Sequence, residues 1–428
     1  MRTNGLSQND VYKKLNNILM LDETFSSGKI IGSMCTKPHI FSQKIYSKHL
    51  EKNIGDPGLL KGTSKLEKDI IAILGNLLSK SNAIGNVVSG GTEANILAMW
   101  AARNYFNKPN SEIIIPTHSH NSFYKAADLL GIKLVQVPDV HGIVDITKVK
   151  KSITKNTIML VGVAGTTPLG LIDPIDNLSD LASDHSLLLH VDASFGGFVI
   201  PFLKDLGYSP PVFDFKLPGV SSIAIDSHKM GLAPIPSSCI LFRNNKFLHG
   251  ISNTVDYLSG GEKPRKTLLG TSPGASIISL WALMNFLGQD GYSKIALRCM
   301  KNTQYLSKKL NTISGIEIVQ KPVLNIIGFK SRRISIQSFA ADYEKGHSRS
   351  RSVVSKLVAG VSYLVRKNGI DFIKGEAKFL DKDSLVINNE SKVSADNIII
   401  ATGGRPRPMV NLPFDGDRIL DSKQILEM

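Results

Sequence analysis

Thr157–Ser194 reads "TIMLVGVAGTTPLGLIDPIDNLSDLASDHSLLLHVDAS". It opens with an unbroken apolar run, "TIMLVGVAG", passes through a helix-length segment, Ile175–Ser183, and closes on a second apolar run, "LLLHVDAS". Runs that are apolar on successive residues, without alternation, suit strands buried on both faces. Strand, helix and strand at this spacing make a parallel unit with a crossover helix. The pattern extends outward in both directions. Further runs occur at "EIIIP" from Glu112, "KLVQVP" from Lys133, "SSIAIDS" from Ser221 and "SCILFR" from Ser238, with helical segments at Ser64–Ser79, Glu93–Phe106 and Ser122–Leu130. The expected fold is α/β, a mostly parallel sheet flanked by helices. In such sheets a ligand sits beyond the carboxyl ends of the strands. The polar tails "AGTT", "HVDAS" and "DSHK" are therefore candidates for one site. Two more helices are expected at Gly274–Leu287 and Tyr292–Leu310.

The bulk numbers narrow the function classes. The chain has 428 residues, 42% hydrophobic and 20% charged, with a net charge of +15. That length suits one large domain and a smaller one. The basic residues are dispersed, with no dense block interleaved with aromatics, so no nucleic-acid partner is expected. No apolar run approaches a membrane span, and the N-terminus lacks a signal core, so no membrane partner is expected. Cys35, Cys239 and Cys299 are far apart and form no CxxC pair. That usage argues against a zinc site or disulfide framework and fits the cytoplasm.

Five pieces carry the chemistry. "VVSGGTEANILAMW", Val87–Trp100, feeds a strand through Gly90–Gly91–Thr92 into a helix. Glycines let a backbone approach an anion, and helix N-terminal amides bind phosphate; Thr92 as an ordinary N-cap is the competing reading. Asp192 ends an apolar strand, where a carboxylate needs a cation or settles into a structural salt bridge. Lys229 also stands at a strand end, where a partly dry lysine forms Schiff bases; the plain alternative is a surface lysine. His118 and His120 in "THSHNSF" lack a further ligand at metal spacing, so no metal is assigned. Thr166 and Thr167 end the strand of "VAGTTPLG". Together, a phosphate cradle, a carboxylate and an amine are the three grips on pyridoxal 5'-phosphate (PLP).

Long stretches are also familiar. "GSMCTKPH" (Gly32–His39), "NIGDPGLLKGT" (Asn53–Thr63), "VSGGTEANILAMWAARN" (Val88–Asn104), "LHVDASFGGFVIPFL" (Leu189–Leu203) and "PVLNIIGF" (Pro322–Phe329) resemble the group II PLP-dependent decarboxylases. Within these, the archaeal L-tyrosine/L-aspartate decarboxylases are most similar. The resemblance implies a fold-type I PLP enzyme, a homodimer, and release of carbon dioxide from an L-amino acid substrate. Tyrosine would give tyramine; aspartate would give β-alanine, which feeds coenzyme A. It implies that Lys229 joins the cofactor aldehyde, Asp192 meets the pyridine nitrogen and His120 stacks on the ring. Gly91, Thr92, Ser227 and His228 would surround the phosphate, with Thr166 near the ring. The family often has alanine at Ser194 and proline at Ser227. Carbon–carbon cleavage of the sphingosine-phosphate lyase type is the alternative within PLP chemistry.

The resemblance stops near Phe329. From Tyr343, "YEKGHSRSRSVVSKLVAGVSYLVRKNGIDFIKGEAKFL", "ADNIIIATGGRPR" and "DGDRILDSKQILEM" resemble an internal piece of dihydrolipoamide dehydrogenase-type flavoproteins. The Gly-rich flavin loop and the redox CxxxxC pair are absent from the sequence, so flavin chemistry is not expected. A fusion of two truncated genes, with turnover impaired by the replaced C-terminal domain, is the resulting expectation. The expected layout is an N-terminal segment (1–60), a PLP-binding large domain (61–290), the start of a truncated small domain (291–330) and a flavoprotein-like α+β tail (331–428). Within the tail a helix is expected at Val353–Lys367 and strands in "DFIKGEAKFL" and "SLVINN".

Overall fold

The computed structural model describes residues 3–25, 27, 30, 32–33, 36–255, 263–331, 367–369, 371, 373 and 375–398. The chain divides into two units, Met1–Phe339 and Ala340–Met428. The first unit runs α1 (Gln8–Leu19), α2 (Ile40–Ser47), α3 (Lys61–Leu77), β1 (Ile84–Val88), α4 (Gly91–Phe106), β2 (Glu112–Pro116), α5 (Ser122–Leu130) and β3 (Lys133–Val137). It continues through a short hairpin, β4 (Asp139–Val140) and β5 (Ile143–Val144), to α6 (Ile146–Ser152), β6 (Thr157–Val163), α7 (Ile175–Asp184), β7 (Leu188–Asp192), α8 (Ile200–Leu203), β8 (Val220–Ile225) and β9 (Ser238–Phe242). It ends with β10 (Asn253–Val255), β11 (Lys263–Arg265), α9 (Gly274–Leu310), β12 (Ile316–Ile318) and β13 (Phe329–Ser331).

Seven strands form the central sheet in the order β1-β9-β8-β7-β6-β2-β3. Strands β8, β7, β6, β2 and β3 run parallel. Only β9 breaks the pattern, antiparallel to both β8 and β1. All six strands expected from the apolar runs are present, and β2, β6, β7, β8 and β9 are buried at every position. The reason lies in the register. Along β2, Ile114 joins one apolar cluster while Ile113 and Ile115 join the other. Along β6, Leu160 faces the first cluster while Met159 and Val161 face the second. Side chains alternate across a strand, so both sheet faces need apolar residues.

Helices α3, α7 and α9 cover one face through Leu74, Leu178 and Leu280. Helices α4 and α5 cover the other through Leu97 and Phe123. Helix α4 is buried along most of its length, and its alanines at 94, 98, 101 and 102 let it lie close to the sheet. The two helices expected after residue 274 are one element broken at Gly288, whose φ of 57° is left-handed. That region favours glycine.

The register also aligns the strand ends. Val163 pairs with Asp192, and Asp192 with Ala224. The carboxyl ends of β6, β7 and β8 therefore finish side by side, as a parallel sheet requires of a ligand edge.

In the second unit, β14 (Ala377–Asp381), β15 (Ser384–Ile387) and β16 (Ser391–Ser394) form an antiparallel meander. Its first two strands fall in the two expected runs. The expected helix at Val353–Lys367 lies outside the described residues except for Lys367, and "IIATGGRPR" lies outside them altogether.

Candidate active site

Beyond β8 the chain turns sharply through Asp226–Ser227–His228–Lys229. The Lys229 amide donates to the Asp226 carbonyl at 3.2 Å. Its Nζ lies 2.9 Å from Asp226 Oδ2. Asp226 is buried, and its Oδ1 accepts from the Ser238 hydroxyl at 2.5 Å. The turn is tied down from several directions. The His228 amide donates to Ser237 O at 3.0 Å and the Ala233 amide to Ser227 O at 3.0 Å. The Tyr292 hydroxyl donates to Gly231 O at 3.1 Å. The Thr36 hydroxyl donates to the Lys229 carbonyl, so the N-terminal segment also holds the lysine in place.

Asp192 ends β7 on the same edge. Its Oδ1 accepts from the Ser194 amide at 3.0 Å and the Ser194 hydroxyl at 2.6 Å. Its Oδ2 accepts from Asn95 Nδ2 at 3.0 Å. Burial pushes this carboxyl up, but the Ser194 hydroxyl and the nearby Lys229 charge outweigh it and hold the group below the usual carboxylate range. His190, two residues earlier in β7, is fully buried. Burial pushes its imidazole down to about 4 against the pull of Asp192, so it is neutral at pH 7.

A cleft of about 190 Å³ gathers these groups. Lys229, Asp226 and His228 line it from the β8 turn, Asp192 and Ser194 from β7, and Gly90, Gly91, Thr92 and Asn95 from the start of α4. His118, His120 and Thr167 complete the wall. Two larger surface grooves, of about 730 and 800 Å³, contain none of these residues. Chemistry, not size, picks out the small one.

Six of the eight residues singled out in the sequence come together here: Gly91, Thr92, His120, Asp192, His228 and Lys229. Two do not reach the cleft. Thr166 is buried, with its hydroxyl accepting from the Leu171 amide at 3.1 Å; its neighbour Thr167 lines the cleft instead. Ser227 is fully buried and faces Cys239, with Oγ and Sγ 3.7 Å apart. His228 is anchored through Nδ1, which donates to Ser237 O at 2.6 Å.

Four cleft residues were given no cofactor role from the sequence. Asp226 sits in plain view in "DSHK", and its value lies only in the turn that brings it under Lys229. Asn95 reads as an ordinary polar position inside a helix. Ser194 reads as a small residue after a strand. His118 pairs with Asp173, 55 residues away, at 3.1 Å. Asp173 itself accepts the Val144 and Val163 amides at 2.8 Å each, so it is held as a carboxylate acceptor. No cluster of three metal-ligating side chains occurs among the described residues.

The start of α4 differs from a simple cap. Gly90, not Thr92, occupies the N-cap position, and no side chain caps the helix there. Glu93, at the third helical position, reaches back to the Ser89 amide at 2.8 Å. The amides of Gly91 and Thr92 remain without intrahelical partners, as at any helix start. A Cβ on Gly91 would stand 2.7 Å from Ser194 Oγ and 3.0 Å from Asp226 Oδ1. Only glycine leaves that floor open.

These groups fit pyridoxal phosphate. A helix N-terminus faces the cleft for an anion. An ionised, buried carboxylate and an amine stand on neighbouring strand ends. The Nδ1 of His118 is buried without a hydrogen-bond partner among the described residues, so the wall has a polar atom to spare for an occupant.

Comparison with known proteins agrees. Residues 62–332 match the pyridoxal-dependent decarboxylase conserved domain. Residues 296–428 match the pyridine nucleotide-disulphide oxidoreductase family. The two matches overlap at 296–332, where α9 buries Ala296, Met300 and Thr303. Ala296 and Met300 belong to the first unit's core, so the overlap belongs structurally to the decarboxylase part. The probable L-aspartate decarboxylase of Pyrococcus furiosus is 48% identical over 333 residues, 77% of this chain and 89% of that protein. The probable L-tyrosine/L-aspartate decarboxylase of Methanothermobacter thermautotrophicus is 50% identical over 307 residues, 72% of this chain and 84% of that protein. Among solved structures, Burkholderia pseudomallei sphingosine-1-phosphate lyase aligns with a TM-score of 0.73 at 28% identity, covering 79% of this chain and 81% of that one. Lactobacillus brevis glutamate decarboxylase aligns with a TM-score of 0.71 at 22% identity, covering 78% and 80%, a likeness of fold. With its ligand edge, its paired lysine and carboxylates, and these relatives, the chain belongs to the pyridoxal-dependent decarboxylase family and is a PLP-dependent carboxy-lyase.

Proposed function

We propose that the chain removes the α-carboxylate of an L-amino acid, aspartate to give β-alanine or tyrosine to give tyramine. The observation that carries this reading is the convergence of Lys229 and Asp192 on one cleft beside the open N-terminus of α4. The names of the relatives at 48–50% identity supply the substrate class.

Bound PLP supplies an aldehyde that takes the substrate amine and a ring that accepts the electron pair of the breaking carbon–carbon bond. The chain's residues do the rest. Lys229 would be the residue that holds the cofactor aldehyde when no substrate is bound, with Asp226 Oδ2 keeping Nζ in place at 2.9 Å. Asp192, ionised and fixed by Ser194 and Asn95, keeps a proton on the pyridine nitrogen. The Gly91 and Thr92 amides and His228 bind the phosphate. His120 packs against the ring. Lys229 and His120 are the proton carriers on the cleft wall that can return a proton to the substrate carbon.

The chain acts as a homodimer in the cytoplasm. Support comes from α1, whose Val11, Tyr12, Leu15, Ile18 and Leu19 are all exposed, and from three cysteines with no pairing pattern. No helix among the described residues is long and apolar enough to cross a membrane. The second unit marks a joining of two genes and contributes no flavin chemistry.

The test is PLP-loaded full-length chain offered tyrosine, aspartate and glutamate, with amines and carbon dioxide measured. Tyramine or β-alanine with equimolar carbon dioxide is expected. Borohydride reduction should leave a phosphopyridoxyl group on Lys229. Aldehyde release from a phosphorylated amino alcohol, without amine from any amino acid, would assign the lyase chemistry instead.

A further inference from the structure

Six buried or half-buried side chains join the two flanks of the cleft. Ser222 Oγ lies 2.9 Å from His190 Nδ1, and His190 Nε2 lies 2.9 Å from Asn95 Oδ1. Asn95 Nδ2 donates to Asp192 Oδ2 at 3.0 Å and to Ser122 Oγ at 2.9 Å. Ser122 Oγ lies 3.0 Å from His120 Nδ1. The Ser122 backbone amide donates to the same nitrogen at 3.2 Å. Asn95 is 1% exposed and Ser122 equally so.

The hydrogens in this chain of contacts have one consistent order. An ionised Asp192 only accepts. It therefore faces the amide nitrogen of Asn95, which turns Asn95 Oδ1 toward His190. Oδ1 only accepts, so His190 carries its hydrogen on Nε2. Its bare Nδ1 then accepts from the Ser222 hydroxyl. The second hydrogen of the Asn95 amide goes to Ser122 Oγ. That hydroxyl, already accepting, turns its own hydrogen toward His120 Nδ1. With both the Ser122 hydroxyl and the Ser122 amide donating to it, Nδ1 of His120 has no room for a hydrogen.

We propose that Asn95 is a positioning residue that links Asp192 to His120 and, by aiming the Ser122 hydroxyl, adds a second donor to the Ser122 amide that keeps the His120 hydrogen on Nε2. Its amide spends one hydrogen on each flank. A single side chain thus orders the carboxylate that faces the ring nitrogen and the imidazole that packs on the ring. His120 then presents a donor, not an acceptor, at Nε2. The inference rests on the reading of His120 and Asp192 as cofactor contacts, but the tautomer is a property of the cofactor-free protein and fails or holds apart from decarboxylation.

The experiment is nitrogen NMR on the full-length chain, free of cofactor and labelled in histidine, with His120→Gln to assign the signal. In the wild type, His120 should show a bare Nδ1 and a protonated Nε2. In Asn95→Ala the Ser122 hydroxyl loses its fixed orientation while the Ser122 amide still donates to Nδ1, so the His120 Nδ1 signal should move toward that of a singly bonded bare nitrogen. The PLP dissociation constant should rise at least about tenfold, with the circular dichroism unchanged. Ser122→Ala should shift the His120 Nδ1 signal the same way while leaving the Asn95–Asp192 contact and raising the PLP dissociation constant less. A wild-type hydrogen on Nδ1 overturns the proposal. So does an Asn95→Ala protein with both the His120 Nδ1 signal and PLP binding unchanged. If Asn95→Ala does not fold, Ser122→Ala decides through the Nδ1 signal alone, and unaltered His120 signals overturn the proposal.

Discussion

His190 shows how much a single buried residue can govern. Its imidazole titrates at 6.5 when unfolded and at about 4 in the fold, because burial disfavours the cation. The folded chain therefore binds fewer protons than the unfolded chain between those values. Stability is full above 6.5 and is lost as the pH falls toward 4. Between pH 7 and pH 5 the loss from this one group is about 2 kcal/mol. His190→Asn, which cannot titrate, should remove that share of the slope when urea midpoints are compared at the two pH values. Equal slopes in both proteins would mean that His190 takes up its proton equally in the folded and unfolded chains. The sequence told little of this. Asp192 and Lys229 were legible because charged groups at the ends of apolar strands demand an explanation. Thr166 was not distinguishable from Thr167, since which of two adjacent hydroxyls faces a cleft is set by the turn, and here the Leu171 amide claims Thr166. Ser227 was placed near the phosphate by the family resemblance, yet it is fully buried and faces Cys239. Asn95 was invisible: on one helix it is a polar residue among alanines, and its partners come from strand β7 and the first residue of α5.

The helix that begins at Gly91 concentrates the element-scale chemistry. Its length and burial were legible from "ANILAMWAA", whose small and apolar residues permit contact with the sheet on most of the circumference. The nature of its first turn was not. Thr92 is a good N-cap by type, but Gly90 takes that place, and Glu93 supplies the return bond to Ser89. Thr92 is thereby left to line the cleft. The absent side chain at Gly91 matters more than any present one. Gly91→Ala would drive a methyl against Ser194 Oγ at 2.7 Å and the Asp226 carboxylate at 3.0 Å, the oxygens that orient Asp192 and Lys229. Overpacking of this kind costs about 1–3 kcal/mol. The expected result is a folded chain whose PLP affinity falls about ten- to a hundredfold by absorbance titration. An unchanged affinity would show that the floor yields freely and that the helix start does not meet the cofactor. The Gly288 break in α9 is a milder case. The apolar pattern gave two helices, and the structure has them meet at Gly288, where the backbone leaves helical angles.

Across the whole molecule, the sheet was the most legible feature, since two-sided burial imprints itself on every strand. The small strands β10 to β13 and helix α1 were not, being short or exposed and so lacking a strong period. The second unit is different in kind. Strand β14 is exposed at every position, with Phe379 and Leu380 among its solvent-facing residues. Every described residue that lines the cleft falls between Gly90 and Lys229. The substrate side of the site is correspondingly bare. The basic side chains on the cleft wall are Lys229 and the histidines, and no arginine lines it among the described residues. Lys229 is committed to the cofactor and to Asp226, so an incoming carboxylate lacks a dedicated forked partner. A charged hydrogen bond is worth about 1.5–3 kcal/mol, and its loss costs about ten- to a hundredfold in kcat/KM. We therefore expect the full-length chain to bind PLP tightly yet decarboxylate its best substrate at least about tenfold less efficiently than the Pyrococcus furiosus relative assayed beside it. The deficit should lie mainly in KM, because the cofactor contacts that act in the bond-breaking step are in place. PLP affinity should survive removal of residues 340–428, because the described cleft residues all lie between Gly90 and Lys229. Equal efficiency of the two enzymes would mean that another part of the chain, or a second copy of it, brings a cation to the substrate.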